Sequence, residues 1–177
     1  MEMKNSNTKS SQRVREMVQI ALMTALTYLS VSYLNIPNGY GGVVHLGDSV
    51  IFITAILLGT RQAAISGAIG MTMFDAFSPY AAWAPYTFVI KLGMALIVGF
   101  IANSGNTNGN SWIRNIIGII LAGAWGVAGY YGAEALMTGN LYTPILSMLG
   151  NIIQVTAGGA IAVVLLIALK NTRYFKR

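Results

Sequence analysis

The chain has 177 residues, 55% hydrophobic and 9% charged, with a net charge of +6 and no cysteine. Soluble domains carry about 25% charge, so this composition argues against a soluble globular protein. The missing cysteines exclude a disulfide framework, a thiol catalyst and a thiolate metal site. Between Glu16 and Lys170 the formal charges are only Asp48, Arg61, Asp75, Lys91, Arg114 and Glu134. Eight of the eleven basic residues lie in two terminal clusters, which suits lipid headgroups rather than nucleic acid. Long apolar runs, short polar joints and basic flanks predict an all-α polytopic membrane protein forming a single domain over 1–177.

Six spans are expected in chain order. A basic tail, 1–13, leads into the first span, about Arg15 to Leu34. No small-residue cleavage site follows, so this reads as a retained helix. Asn35-Ile36-Pro37-Asn38-Gly39 breaks it and opens a long outer loop that reaches Gly47. Gly39, Gly41 and Gly42 give that loop the backbone freedom of a gate. Asp48-Ser49 reads as the cap of a short second span ending at Gly59-Thr60-Arg61. The third runs to about Phe77 and the fourth from Trp83-Ala84-Pro85-Tyr86 to about Ala102. The segment 103–111, rich in Asn, Ser and Gly, reads as a flexible polar loop. Trp112 to about Met137 and Tyr142 to about Leu169 form the fifth and sixth spans, followed by the basic tail 170–177.

With the N-terminus cytoplasmic, Arg61, Arg114 and both tails lie inside, and the outer loops around 35–47, 79–83 and 138–141 hold no lysine or arginine. The positive-inside rule therefore sets both termini in the cytoplasm and makes the chain a multi-pass protein of the cell membrane. At about 1.5 Å of rise per residue, Asp48, Asp75, Lys91, Glu134, Asn151 and Gln154 all fall in the outer half, and His45 in the outer loop. That asymmetry predicts a polar pocket open to the outside.

Each residue also has a plainer reading. Asp48 reads first as a helix cap, and Asp75 as a salt-bridge partner of Lys91 or a pocket wall. Lys91 must pair, line a watery cavity or snorkel. Glu134 is either solvated at the interface or a ligand contact, and His45 either an exposed loop residue or a ligand contact. The outer tyrosines and tryptophans are mostly an interfacial belt. Trp83 and Tyr86, above Lys91, are the stacking candidates for a flat heteroaromatic ligand. Thr87 and Tyr131 complete the candidate set. One histidine leaves no metalloprotease motif, no metal site is expected, and no Walker A sequence is present. Uphill transport driven by ATP would need the ATPase on another chain. A membrane enzyme and a stand-alone proton-coupled transporter using Asp75, Lys91 or Glu134 are the alternatives from other classes.

Ala21-Leu22-Met23-Thr24-Ala25, Val44-His45-Leu46-Gly47-Asp48, Leu57-Leu58-Gly59, Gly67-Ala68-Ile69-Gly70 with Asp75, and Trp83 through Lys91 occur here in order. Together they resemble the substrate-binding S component of energy-coupling factor (ECF) vitamin transporters, in the riboflavin-transporter-like branch. The resemblance covers essentially the whole chain. It implies a non-enzymatic subunit with no cofactor that captures a vitamin outside. Such a subunit docks on a membrane coupling subunit (T component) carrying two ABC ATPases, and topples to release its cargo inward. Ala21 and Ala25 match the small-residue docking motif. The implied pocket lies among spans four to six and the loop after span one. Within that branch the chain resembles most the subgroup assigned to hydroxymethylpyrimidine or pyridoxine, with riboflavin or another vitamin as the alternative. Lys91, Glu134, Asn151 and Gln154 then supply hydrogen-bonding groups.

Overall fold

A computed structural model describes the backbone of residues 2–37 and 43–172, with side chains from Ser10 onward except Asn106. The elements run α1 (Glu2–Tyr33), β1 (Asn35–Pro37), β2 (Val43–His45), α2 (Gly47–Leu57), α3 (Thr60–Ala76), α4 (Ala84–Asn103), α5 (Trp112–Thr138) and α6 (Thr143–Lys170). Short 3₁₀ turns at Ala81–Trp83 and Ser104–Asn106 flank α4. Local signals set most boundaries. Pro85 and Pro144 occupy the first turns of α4 and α6, where a missing N–H costs nothing. Ser111 caps α5, and Gly139 ends it in the left-handed conformation.

Helix α2 occupies the centre. It packs on α1, α3, α4 and α6, and nine of its eleven residues are buried, as expected of a helix that is apolar all round. Eleven residues rise only about 16 Å, short of a hydrocarbon core of about 30 Å. The joint into α3 turns on Gly59, whose φ of 115° is open to few side chains. The core is built from Val31, Phe52, Ile56, Met71, Met94, Val98, Ala102 and Leu166, all fully or almost fully buried. Outward faces are apolar too: Leu146, Leu149, Ile153 and Val164 of α6 are more than half exposed, the arrangement that lipid tails favour. Three segments, Ala81–Asn103, Trp112–Thr138 and Thr143–Lys170, are long and apolar enough to cross a membrane by length and composition.

Several expectations change. The first helix reaches back to Glu2, through the stretch read as a tail. The outer loop carries an antiparallel ladder, Asn35 opposite His45 and Pro37 opposite Val43, a small departure from an all-α fold. Gly39, Gly41 and Gly42 lie outside the described residues. The segment 103–111 is tied to the bundle by hydrogen bonds at Asn103 and Gly109. Asn103 Nδ2 donates to the carbonyls of Ala55 (3.0 Å) and Gly99 (2.8 Å), Asn115 Nδ2 donates to that of Gly109 at 2.8 Å, and Lys170 also donates to Gly109. Polar backbone beside apolar helix ends needs such partners.

Candidate functional site

The hairpin end of the bundle holds a cavity of about 50 Å³. Its walls come from β2 and from the adjoining ends of the helices. Strand β2 supplies Val43 and His45, and α3 supplies Asp75. Tyr80, Trp83 and Thr87 come from the turn into α4 and its first residues, and Tyr130 and Glu134 from α5. Ser147, Asn151 and Gln154 come from α6, three or four residues apart, so that they share one helix face. Trp83 and Tyr130 form an aromatic corner, with ring centres 6.0 Å apart and planes tilted by 53°. The Tyr130 and Thr87 hydroxyls share a hydrogen bond at 3.2 Å.

Behind this lining lies a buried polar network. Lys91 Nζ donates to Asp48 Oδ1 at 2.6 Å, and neither side chain is exposed. The ammonium also sits 5.1 Å from the centre of the Tyr130 ring. Gln154 Nε2 donates to Asp48 Oδ2 at 2.9 Å, and the His45 backbone N–H donates to Gln154 Oε1 at 3.2 Å. The chain of contacts joins α4, α2, α6 and β2. Gly158, one turn below Gln154, lets α6 approach α2 closely: a Cβ there would stand 3.1 Å from that of Asp48.

Two buried side-chain atoms at the cavity have no hydrogen-bond partner among the described residues. Asp75 Oδ2 and His45 Nδ1 are both unbonded, in residues only 8% and 6% exposed. An unsatisfied buried polar atom costs about 1–3 kcal/mol, so both are natural positions for ligand atoms. Burial lowers the His45 pKa to about 4 despite the opposing pull of Asp48, which leaves the ring neutral at physiological pH. Glu134, 5% exposed, accepts from Ser147 Oγ at 2.8 Å.

Among the sequence candidates, Asp75, Trp83, Thr87, Glu134, Asn151, Gln154 and His45 meet at this cavity. Lys91 does not reach its wall, and its partner is Asp48 rather than Asp75. Asp48 is not a cap: Leu46 holds that position, with no side-chain bond. The solvated reading of Glu134 and the exposed reading of His45 both give way to burial. Tyr86 packs against the core away from the cavity. Tyr131 faces an apolar furrow between α5 and α6 and donates to the Leu141 carbonyl at 3.0 Å. Tyr130, Tyr80, Val43 and Ser147 also line the cavity, although the sequence marks the two tyrosines only as part of the interfacial belt and the other two not at all. For Tyr130 the only further sequence signal was its place in a tyrosine pair one turn from Glu134.

The family described as ECF-type riboflavin transporter, S component, matches residues 11–171. The chain belongs to this family. As an S component it is a membrane protein of a vitamin transporter, and S components work with a T component and ATPases. The chain is 24% identical over 157 residues to the thiamine precursor transporter HmpT of Lactococcus lactis subsp. cremoris (strain MG1363), covering 88% of this chain and 87% of that protein. It is also 32% identical over 98 residues to an uncharacterised protein of Pyrococcus woesei, covering 55% of this chain and 63% of that one.

Proposed function

We propose that this S component captures hydroxymethylpyrimidine, the thiamine precursor, from outside a bacterial plasma membrane. The observation that carries the reading is the pair of unpartnered buried atoms, Asp75 Oδ2 and His45 Nδ1, beside the Trp83–Tyr130 corner. A carboxylate oxygen accepts and a neutral imidazole nitrogen donates or accepts. An aminopyrimidine offers donors and acceptors on its edge and a flat face for the aromatic rings. A cavity of about 50 Å³ holds roughly three to five water-sized positions at 10–15 Å³ each. That scale suits a single substituted ring and disfavours a flavin with its sugar-alcohol tail. The likeness to HmpT favours hydroxymethylpyrimidine over pyridoxine, the other small ring that the sequence suggested.

In this reading the chain is a bundle of six membrane helices, the buried α2 crossing only part of the hydrocarbon core, with both termini inside, as the distribution of lysine and arginine supports. Ala21 and Ala25 are exposed on α1 among Leu22, Leu26 and Leu29, each more than 40% exposed. They form the surface on which the T component, bound to two ABC ATPases, packs closely. Calorimetric titration of the purified protein with hydroxymethylpyrimidine, pyridoxine and riboflavin tests the assignment. Tightest binding of hydroxymethylpyrimidine is expected. Tighter binding of either other vitamin would overturn it.

A further inference from the structure

We infer that Asp48, which does not itself line the cavity, sets the charge selectivity of the pocket by cancelling Lys91. The inference deepens the proposed function and rests on the cavity being the ligand site. Around the cavity, the charged groups among the described residues are Asp75 and Glu134 in its wall, with Lys91 and Asp48 behind it. His45 is neutral. Lys91 stands 5.1 Å from the ring of Tyr130, and Asp48 is bonded to Gln154; both Tyr130 and Gln154 face the cavity. At that range in a low-dielectric interior, an uncompensated ammonium would offset much of the negative potential of the wall carboxylates. Contact with Asp48 at 2.6 Å turns it into a short dipole. What the ligand then meets is the excess charge of Asp75 and Glu134. Such a pocket takes donor-rich or cationic ligands and rejects carboxylated or phosphorylated forms of the same ring.

Gln154 completes the device as a positioning residue. Its amide is used on both sides, Nε2 towards Asp48 and Oε1 towards the His45 backbone. The carboxylate is thereby held in register with the strand that carries the unpartnered imidazole.

The charge can be read without the vitamin, using formamidinium and formate as small planar probes of opposite sign. Thermal midpoints of the purified full chain are titrated with each at constant ionic strength. Wild type should be stabilised by formamidinium and not by formate. Asp48→Asn frees the Lys91 charge to offset one wall carboxylate and should weaken the formamidinium response, with apparent affinity falling about tenfold or more. Asp48→Asn with Lys91→Met should restore that response. If Asp48→Asn does not fold, Lys91→Met serves instead, and its formamidinium response should exceed that of wild type. A formate response in wild type, or an undiminished formamidinium response in folded Asp48→Asn, overturns the inference, as does an unchanged formamidinium response in Lys91→Met. Failure to bind hydroxymethylpyrimidine with these probe responses intact would count against the vitamin assignment alone.

Discussion

Lys91 and Asp48, 43 residues apart in sequence, meet at 2.6 Å in the middle of the bundle with no exposure of either side chain. Two charges removed from water stabilise a fold only through each other, and breaking such a pair leaves an ion stranded. Lys91→Met should therefore destabilise the protein by about 3–5 kcal/mol. Adding Asp48→Asn should recover most of the loss, whereas adding Asp75→Asn should not. Denaturation of the three variants in one detergent makes the comparison. Rescue by Asp75→Asn would point to the wrong partner.

Asp75 behaves differently because its Oδ2 has no partner among the described residues. Asp75→Asn should leave stability unchanged or raise it, while weakening hydroxymethylpyrimidine binding by about 1.5–3 kcal/mol, the worth of a hydrogen bond to a charged group. Calorimetry and thermal melting on one preparation separate the two effects. Wild-type affinity in this variant would remove Asp75 from the site.

His45 gives a pH signature. Its pKa falls from 6.5 to about 4 on folding, so between those values the unfolded chain binds more protons than the folded one. Stability should rise with pH across that window, be fully present above 6.5, and be lost as pH falls towards 4. The swing is on the order of 3 kcal/mol at 1.36 kcal/mol per unit. His45→Gln should flatten it. An equal slope in the variant would assign the effect elsewhere.

Ala21 and Ala25 are exposed on α1, away from the cavity. Replacing both by tryptophan should leave ligand affinity within about twofold, as expected for distant independent sites. ATP-dependent uptake by the reconstituted transporter should be abolished by steric overlap at the close helix approach. Uptake at the wild-type rate would show that docking uses another surface.

The sequence made the long helices legible because α4, α5 and α6 are apolar runs punctuated by Pro85, Gly139 and Pro144. It also made legible the collection of polar groups at one end, since depth follows from counting residues. It did not reveal which of two similar carboxylates meets Lys91. Asp48 and Asp75 count to comparable depth, and only the central position of α2 puts Asp48 inside on every side. Nor could it separate Tyr130 from Tyr131. One step along a helix turns the side chain by about 100°, enough to send one ring to the cavity and the other to the furrow between α5 and α6. Ser147 carried no signal, since a lone serine early in an apolar helix is common until Glu134 is found opposite it at 2.8 Å.

The most direct measurement of the central claim is the identity of what the protein holds when purified from cells. Extraction of the detergent-solubilised S component followed by mass spectrometry should return hydroxymethylpyrimidine in near-stoichiometric amount from wild type, and much less from Asp75→Asn. Stoichiometric riboflavin, pyridoxine or another vitamin in its place would contradict the account.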